Sequence, residues 1–89
     1  MSHDDFLTLQ RELGFEFSRA ALHDPSLEER IPDNAQIVFL LDRQPAFNKR
    51  SLALAKRQHE PRQPVVLVHI ERLLPTRLVK PRLEVATSL

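Results

Sequence analysis

Residues 35–42 have the sequence AQIVFLLD, and this stretch decides the fold. Residues 37–41 within it are apolar at every position, so both faces of the predicted strand carry apolar side chains. Such a strand is typical of a sheet that is covered on both sides. A second stretch, residues 65–72 (VVLVHIER), is also apolar on both faces until Glu71. We therefore predict two strands that are each buried on both faces.

A predicted helix connects these two strands. Pro45 suits the first position of a helix, and the residues that follow predict a helix that ends near His59. The two strands begin about 30 residues apart, which is the spacing of a βαβ unit. We therefore expect the strands to be parallel and the crossover between them to be right-handed.

An amphipathic helix is predicted at the start of the chain, from Ser2 to His23. Ser2 is a favourable N-cap, and the acidic residues of the first turn suit the helix dipole. One face of this helix carries an apolar stripe at helical spacing, made of Phe6, Leu9, Leu13, Phe17 and Ala20. A short second helix is predicted from Pro25 to Arg30, capped by Asp24.

Phe15 and Leu22 lie seven residues apart on the opposite side of the first helix. A surface helix with one apolar stripe does not need this second pair, so we expect another molecule to cover it. Gly14, beside Phe15, either permits close approach of another backbone or simply weakens the helix. The first helix covers one face of the sheet, either opposite the second helix or on the same side. In the second case an apolar face stays open. We therefore predict a homo-oligomer, most simply a dimer, with contacts at Phe15 and Leu22.

The C-terminal region, residues 74–89, is predicted to be an extended segment that is interrupted by Pro75 and Pro81. Residues 82–86 (RLEVA) alternate in polarity and predict a short edge strand. We therefore predict a single α/β domain over residues 1–89, in the order α, short α, β, α, β and short β. It has a parallel βαβ core, and helices flank the sheet.

The composition excludes several classes of function. The chain has 89 residues, no cysteine and one glycine, which excludes disulfide scaffolds, thiolate chemistry and glycine-rich phosphate loops. The formal net charge of +1 is a cancellation. Residues 1–42 carry three basic and nine acidic side chains, whereas residues 43–89 carry ten and three. The two halves of the chain therefore differ strongly in charge.

Basic side chains share one side of the second long helix and continue into the C-terminal segment. These candidates for binding an anion or a partner are Lys49, Arg50, Lys56, Arg57, Arg72, Arg77, Lys80 and Arg82. One interpretation is a solvated surface, or one that pairs with acidic side chains of the first helix within or between subunits. The alternative is contact with nucleic-acid phosphates. No aromatic residue is interleaved for base stacking, so we favour the first interpretation.

Two carboxylates follow the predicted strands, Asp42 after the first and Glu71 in the second. The carboxyl ends of parallel strands meet at one edge of a sheet, so this pair is a candidate site for a hard cation. The alternative is that these polar residues bind nothing and simply end two buried strands. The four histidines do not cluster, and no nucleophile lies at a useful spacing from a base. We therefore expect no enzyme activity and no cofactor, and we expect His69 to be hydrogen-bonded and partly buried.

The N-terminus, MSHDD, is acidic and is not followed by the apolar stretch of a secretory signal. The longest apolar runs are too short to cross a bilayer. We therefore expect a cytoplasmic protein without a membrane contact. The function that best fits these observations is a non-enzymatic protein-interaction module that associates with itself and with another protein. The alternative is a nucleic-acid-binding or antitoxin-like regulator that uses the basic side chains.

Four stretches resemble a family of short bacterial proteins of unknown function: EFSR (16–19), IPDNA (31–35), FNKRSLALAK (47–56) and PRLEVA (81–86). The resemblance covers most of the chain. It implies a bacterial cytoplasmic protein and supplies no catalytic residues. The family pattern has an acidic pair before the proline that begins the second long helix. This chain has Arg43 and Gln44 there instead, so the expected N-cap is missing.

Overall fold

A computed structural model describes residues 1–74, 77–79 and 81–86. Of these residues, 72–74 and 77–79 are described by their backbone alone. The elements confirm a small α/β domain with the predicted order of helices and main strands. They are α1 (His3–His23), α2 (Pro25–Glu29), β1 (Gln36–Leu41), α3 (Pro45–Gln58), β2 (Val65–Ile70), β3 (Arg72–Leu74), β4 (Arg77–Val79) and β5 (Arg82–Ala86).

The main sheet has three strands in the order β1-β2-β5. β1 and β2 are parallel, with Gln36 opposite Val65 and Leu41 opposite Ile70, so the predicted parallel βαβ core is confirmed. β5 pairs with β2 in the antiparallel direction, which confirms the predicted short edge strand at residues 82–86. β1 and β5 form the two edges of the sheet.

The region between β2 and β5 differs from the prediction. β2 ends at Ile70, and β3 pairs with β4 in a separate antiparallel two-stranded sheet. The proline-interrupted sequence predicted an extended segment here, because strands of three residues are too short to show a periodicity. Residues 75, 76, 80 and 87–89 of that segment lie outside the described residues.

α1 lies across one face of the main sheet and forms the larger core cluster with it. Phe6, Leu13 and Phe17 are buried there against the side chains of Val66, Val68 and Ile70. The N-terminus of α1 is capped as predicted, because the Ser2 hydroxyl accepts a hydrogen bond from the Asp5 N–H at 3.0 Å. The predicted stripe is displaced by one residue at its end, since Ala21 is buried and Ala20 only partly so.

α3 lies along the outer edge of β1. The N–H groups of Gln36 and Asp42 donate to the β2 side, so the alternation of a strand turns the Leu41 backbone towards the free edge. There the Asn48 amide donates to the Leu41 carbonyl and accepts from the Leu41 N–H, both at 2.8 Å. At the other end of the strand, the Gln36 side chain donates to the Ala55 carbonyl at 2.8 Å. α3 therefore pairs with the edge backbone at Leu41 and is joined to β1 at Gln36 as well.

Side chains of α3 reach past the β1 edge on both sides of the sheet. Phe47 packs on the α1 side, where its ring centroid lies 5.5 Å from that of Phe6. Leu52 and Ala55 join a smaller cluster with Val38 on the opposite side. The molecule is 18 Å thick along its shortest axis, which corresponds to one helix layer and one sheet layer. On this second face Val38 and Val65 are buried in the cluster that α3 completes.

Candidate interaction surfaces

The most exposed apolar side chains of the described chain lie on the side of α1 that points away from the sheet. Phe15 is 69% exposed and Leu22 is 83% exposed, so the structure places both predicted contact residues in solvent. Leu7 lies near them on the helix surface and is also exposed. We call this surface the outer row of α1, and its residues at helical spacing are Leu7, Arg11, Gly14, Phe15, Ser18 and Leu22.

Gly14 makes the outer row uneven. A Cβ built on Gly14 meets nothing within 4 Å, so the backbone there is open to another molecule. Leu7 was not predicted as a contact, although it lies seven residues before Gly14 and therefore on the same side of the helix. The outer row thus combines three apolar projections with one open backbone position.

The basic side chains of α3 do not form a single exposed surface. Lys49, Lys56 and Arg57 are exposed, as a solvated face requires. Arg50 instead links α3 to the start of α1: its guanidinium lies 5.0 Å from the Phe6 ring centroid. The same group donates to the Met1 carbonyl at 3.3 Å and lies 3.1 Å from the His3 ring nitrogen Nδ1. This structural role of Arg50 was not predicted, because it depends on how the two helices cross.

The other predicted basic residues lie elsewhere. Arg82 is exposed on β5, which is the opposite edge of the sheet from α3. Arg72 and Arg77 belong to β3 and β4, whose side chains are not described, and Lys80 lies outside the described residues. The predicted extension of the basic stripe of α3 therefore does not include Arg82.

Asp42 and Glu71 lie side by side at the carboxyl edge of the sheet, since each follows one member of the Leu41–Ile70 pair. Both residues are exposed. Within the part of the chain that the structure describes, no group of three or more His, Cys, Asp or Glu side chains is placed to hold a metal ion. The backbone thus brings Asp42 and Glu71 to adjacent strand ends, and no third such side chain of the described residues joins them.

His69 is partly buried and its Nε2 lies 2.7 Å from the Glu84 carboxylate on β5. The expectation of a hydrogen-bonded, partly buried histidine is therefore confirmed. The pair joins side chains of the neighbouring strands β2 and β5, on the same face of the sheet as Val65 and Leu67.

A small cavity of about 90 Å³ lies between α1, α3 and the β1 edge. Its polar lining includes Gln10, Gln36 and the buried Ser51. Gln10 donates to the Ser51 hydroxyl at 3.2 Å, while the Gln36 Oε1 has no partner in the described structure. A space of this size has room for a few water molecules.

The sequence of the chain matches the model of one protein family. The model of a family of unknown function, DUF5647, matches residues 6–82. The chain belongs to this family. The resemblance seen in the sequence is confirmed at that level, and the match takes in most of α1, all of α3 and the start of β5. No curated protein and no solved structure matches the DUF5647 chain.

None of the helices in the described residues is both long enough and apolar enough to cross a bilayer. The exposed apolar side chains of α1 are confined to the outer row, and polar or charged residues separate them along the helix.

Proposed function

We propose that this DUF5647 protein is a non-enzymatic interaction module that associates with itself through the outer row of α1. The observation that carries the proposal is the exposure of Phe15 and Leu22 on a helix whose opposite side already supplies the core. Burial of a large apolar side chain releases about 1.5–3 kcal/mol. Two such side chains left in solvent therefore favour a contact that removes them from water.

A second copy of the chain is the occupant that fits this surface. The outer row presents a projecting ring at Phe15 next to an open backbone position at Gly14. Two copies related by a two-fold axis bury the same apolar side chains on both sides of the contact, as an isologous interface requires. A different protein on the outer row is the alternative outcome of the tests below.

The oligomeric state tests this function. We expect the purified protein to be a dimer by light scattering and sedimentation, with a concentration-dependent share of monomer. Phe15→Asp and Leu22→Asp each place a charge in the contact, so each is expected to give a folded monomer. Ala53→Asp, on the exposed side of α3, adds the same charge away from the outer row and leaves the dimer intact.

The result for the unmodified chain decides the proposal. A monomer at every concentration would contradict self-association. Dimers that persist in both Phe15→Asp and Leu22→Asp would show that the contact lies elsewhere. Circular dichroism of each variant establishes that a loss of association does not come from unfolding.

Nucleic-acid binding is the second candidate, and the exposed cations of α3 favour it. Lys49, Lys56 and Arg57 are exposed and form no ion pair with the described residues. They are therefore available to phosphates. In a gel shift at low salt, this function predicts retardation that the triple alanine variant at these positions abolishes. Arg50 is left unchanged because it holds α1. No retardation of the unmodified protein would exclude this candidate.

A further inference from the structure

We propose that the cavity between α1, α3 and the edge of β1 is a binding site for a small neutral primary amide. The volume of this cavity is about 90 Å³. Because a cavity of about 150 Å³ holds one benzene molecule, this one has room for roughly four non-hydrogen atoms. The proposal does not depend on how the chain associates, since the residues that line the cavity do not belong to the outer row of α1.

The lining of the cavity determines the charge of the ligand. The described residues that line it are all uncharged: Gln10, Gln36, Ile37, Val38, Ser51, Leu54, Ala55 and Gln58. An ion in this cavity would lose its hydration without gaining an opposite charge, so carboxylates and ammonium groups are unfavourable ligands. Gln58 is exposed, so this end of the cavity reaches solvent and a neutral solute can enter there.

The Gln36 side chain supplies an acceptor that needs a donor. Its amide nitrogen donates to the Ala55 carbonyl at 2.8 Å, which fixes the orientation of the amide group. The amide oxygen, Oε1, is buried and has no hydrogen-bond partner in the described structure. Buried polar atoms of native proteins are nearly always hydrogen-bonded. A ligand with an N–H group provides the missing donor.

Ser51 supplies the complementary donor. This residue is 1% exposed, and its hydroxyl oxygen accepts a hydrogen bond from the Gln10 side chain at 3.2 Å. Among the described residues, no acceptor receives the proton of the hydroxyl itself. A ligand that bonds to both Gln36 and Ser51 therefore needs an N–H donor and an acceptor oxygen. A primary amide carries both on one small planar group.

The rest of the lining favours an organic molecule over water alone. Ile37, Val38, Leu54 and Ala55 are apolar, and water beside apolar side chains has few hydrogen-bond partners. An apolar group that displaces such poorly ordered water gains affinity, whereas the polar end of a ligand must reproduce the hydrogen bonds of the water it displaces. Acetamide meets both conditions, because it matches the cavity in size and carries a methyl group beside its amide.

An NMR titration of the full chain with acetamide tests the site, and acetone is the matched probe. Acetone has nearly the same shape and keeps the carbonyl, but it has no N–H group for the Gln36 oxygen. With acetamide we expect saturable shifts of the Gln36 and Gln10 side-chain amide signals, and a dissociation constant in the millimolar range for so small a ligand. Acetone is expected to bind about fivefold more weakly or less tightly still.

Substitution of Ser51 gives a second test. Ser51→Ala removes the donor for the ligand carbonyl and is expected to weaken acetamide binding by about fivefold or more. Ser18→Ala makes the same change on the exposed side of α1 and leaves acetamide binding unchanged. Circular dichroism shows whether each variant is folded. If Ser51→Ala does not fold, the comparison of acetamide with acetone on the unmodified chain decides the proposal.

The contrary result is a cavity that holds water only. Acetamide would then give no saturable shifts at the residues of the lining, and the proposal would be overturned. Equal affinities for acetamide and acetone would also overturn it, because the Gln36 oxygen would then play no part in binding. Saturable shifts centred on the outer row of α1, with none at the lining, would place the bound amide elsewhere and likewise overturn the proposal.

Discussion

The two long helices face the same sheet in different ways. α1 lies across one face, begins at a Ser2 N-cap, and has apolar residues on both its inner and outer sides. α3 lies along the β1 edge, has no side-chain N-cap, and its outer side is basic at Lys49, Lys56 and Arg57. One helix therefore has apolar surface in excess of what the sheet covers, and the other does not.

This difference teaches what each position demands of a helix. A helix over a sheet face must supply apolar volume, and α1 does so with Phe6, Leu13 and Phe17. A helix at a strand edge must supply hydrogen bonds, because the edge exposes backbone N–H and C=O groups. α3 does so through Asn48. Once those demands are met, the remaining exposed residues are available for other contacts. Of these two helices, only α1 has large apolar side chains among them.

The largest expected effect is a loss of stability when the contact between the inner side of α1 and the sheet is broken. Phe17→Ala removes a buried ring that stacks edge-on against Phe39, with centroids 5.8 Å apart, so the free energy of unfolding is expected to fall by about 3–5 kcal/mol. Phe15→Ala, two residues away in solvent, is expected to change it by about 0.5 kcal/mol or less in the monomer. Urea unfolding at low protein concentration measures both. Comparable losses in the two variants would mean that α1 does not have distinct inner and outer sides.

A smaller effect is expected at the strand edge that α3 covers. Asn48→Ala leaves the Leu41 N–H and carbonyl without partners, at a cost of about 1–3 kcal/mol. Hydrogen exchange of the Leu41 amide reports the lost contact. Asn48→Asp retains an acceptor for the Leu41 N–H but no donor for its carbonyl, so stability falls while the amide stays protected. Lys49→Ala, the exposed neighbour, changes neither. Unaltered exchange at Leu41 in Asn48→Ala would contradict the role of α3 at the edge.

Much of the fold was predictable from the sequence, because it depends on patterns within single elements. The apolar runs of β1 and β2 and the 3.6-residue stripe of α1 each stand out locally. The hairpin of β3 and β4 was not predicted, since each strand has three residues. The position of α3 was not predicted either, because Asn48 contacts the strand edge only once the chain has folded.

The candidate surfaces were also predictable only where they depend on a pattern within one helix. Phe15 and Leu22 were predictable because a second apolar stripe on one helix is visible in the sequence. The structural role of Arg50 was not predictable, because Arg50 directly follows Lys49 and nothing in the sequence distinguishes the two basic residues. Only the crossing of α1 and α3 puts the Arg50 guanidinium over the Phe6 ring. Local periodicity thus predicts which side of a helix is apolar, and tertiary contacts decide which charges remain available.

The smallest expected effect concerns the missing cap of α3. Gln44 precedes Pro45 and makes no side-chain cap, whereas Asp24 precedes Pro25 with similar backbone angles and accepts from the Ser26 N–H at 3.2 Å. Gln44→Asp is therefore expected to cap α3 as Asp24 caps α2, and to raise the free energy of unfolding by about 0.5–1 kcal/mol. Gln44→Glu adds the same charge near the helix dipole on a longer side chain that caps poorly. It is expected to gain less, and that smaller gain should disappear at high salt. Equal gains in the two variants would mean that charge, and not the cap, is what α3 lacks.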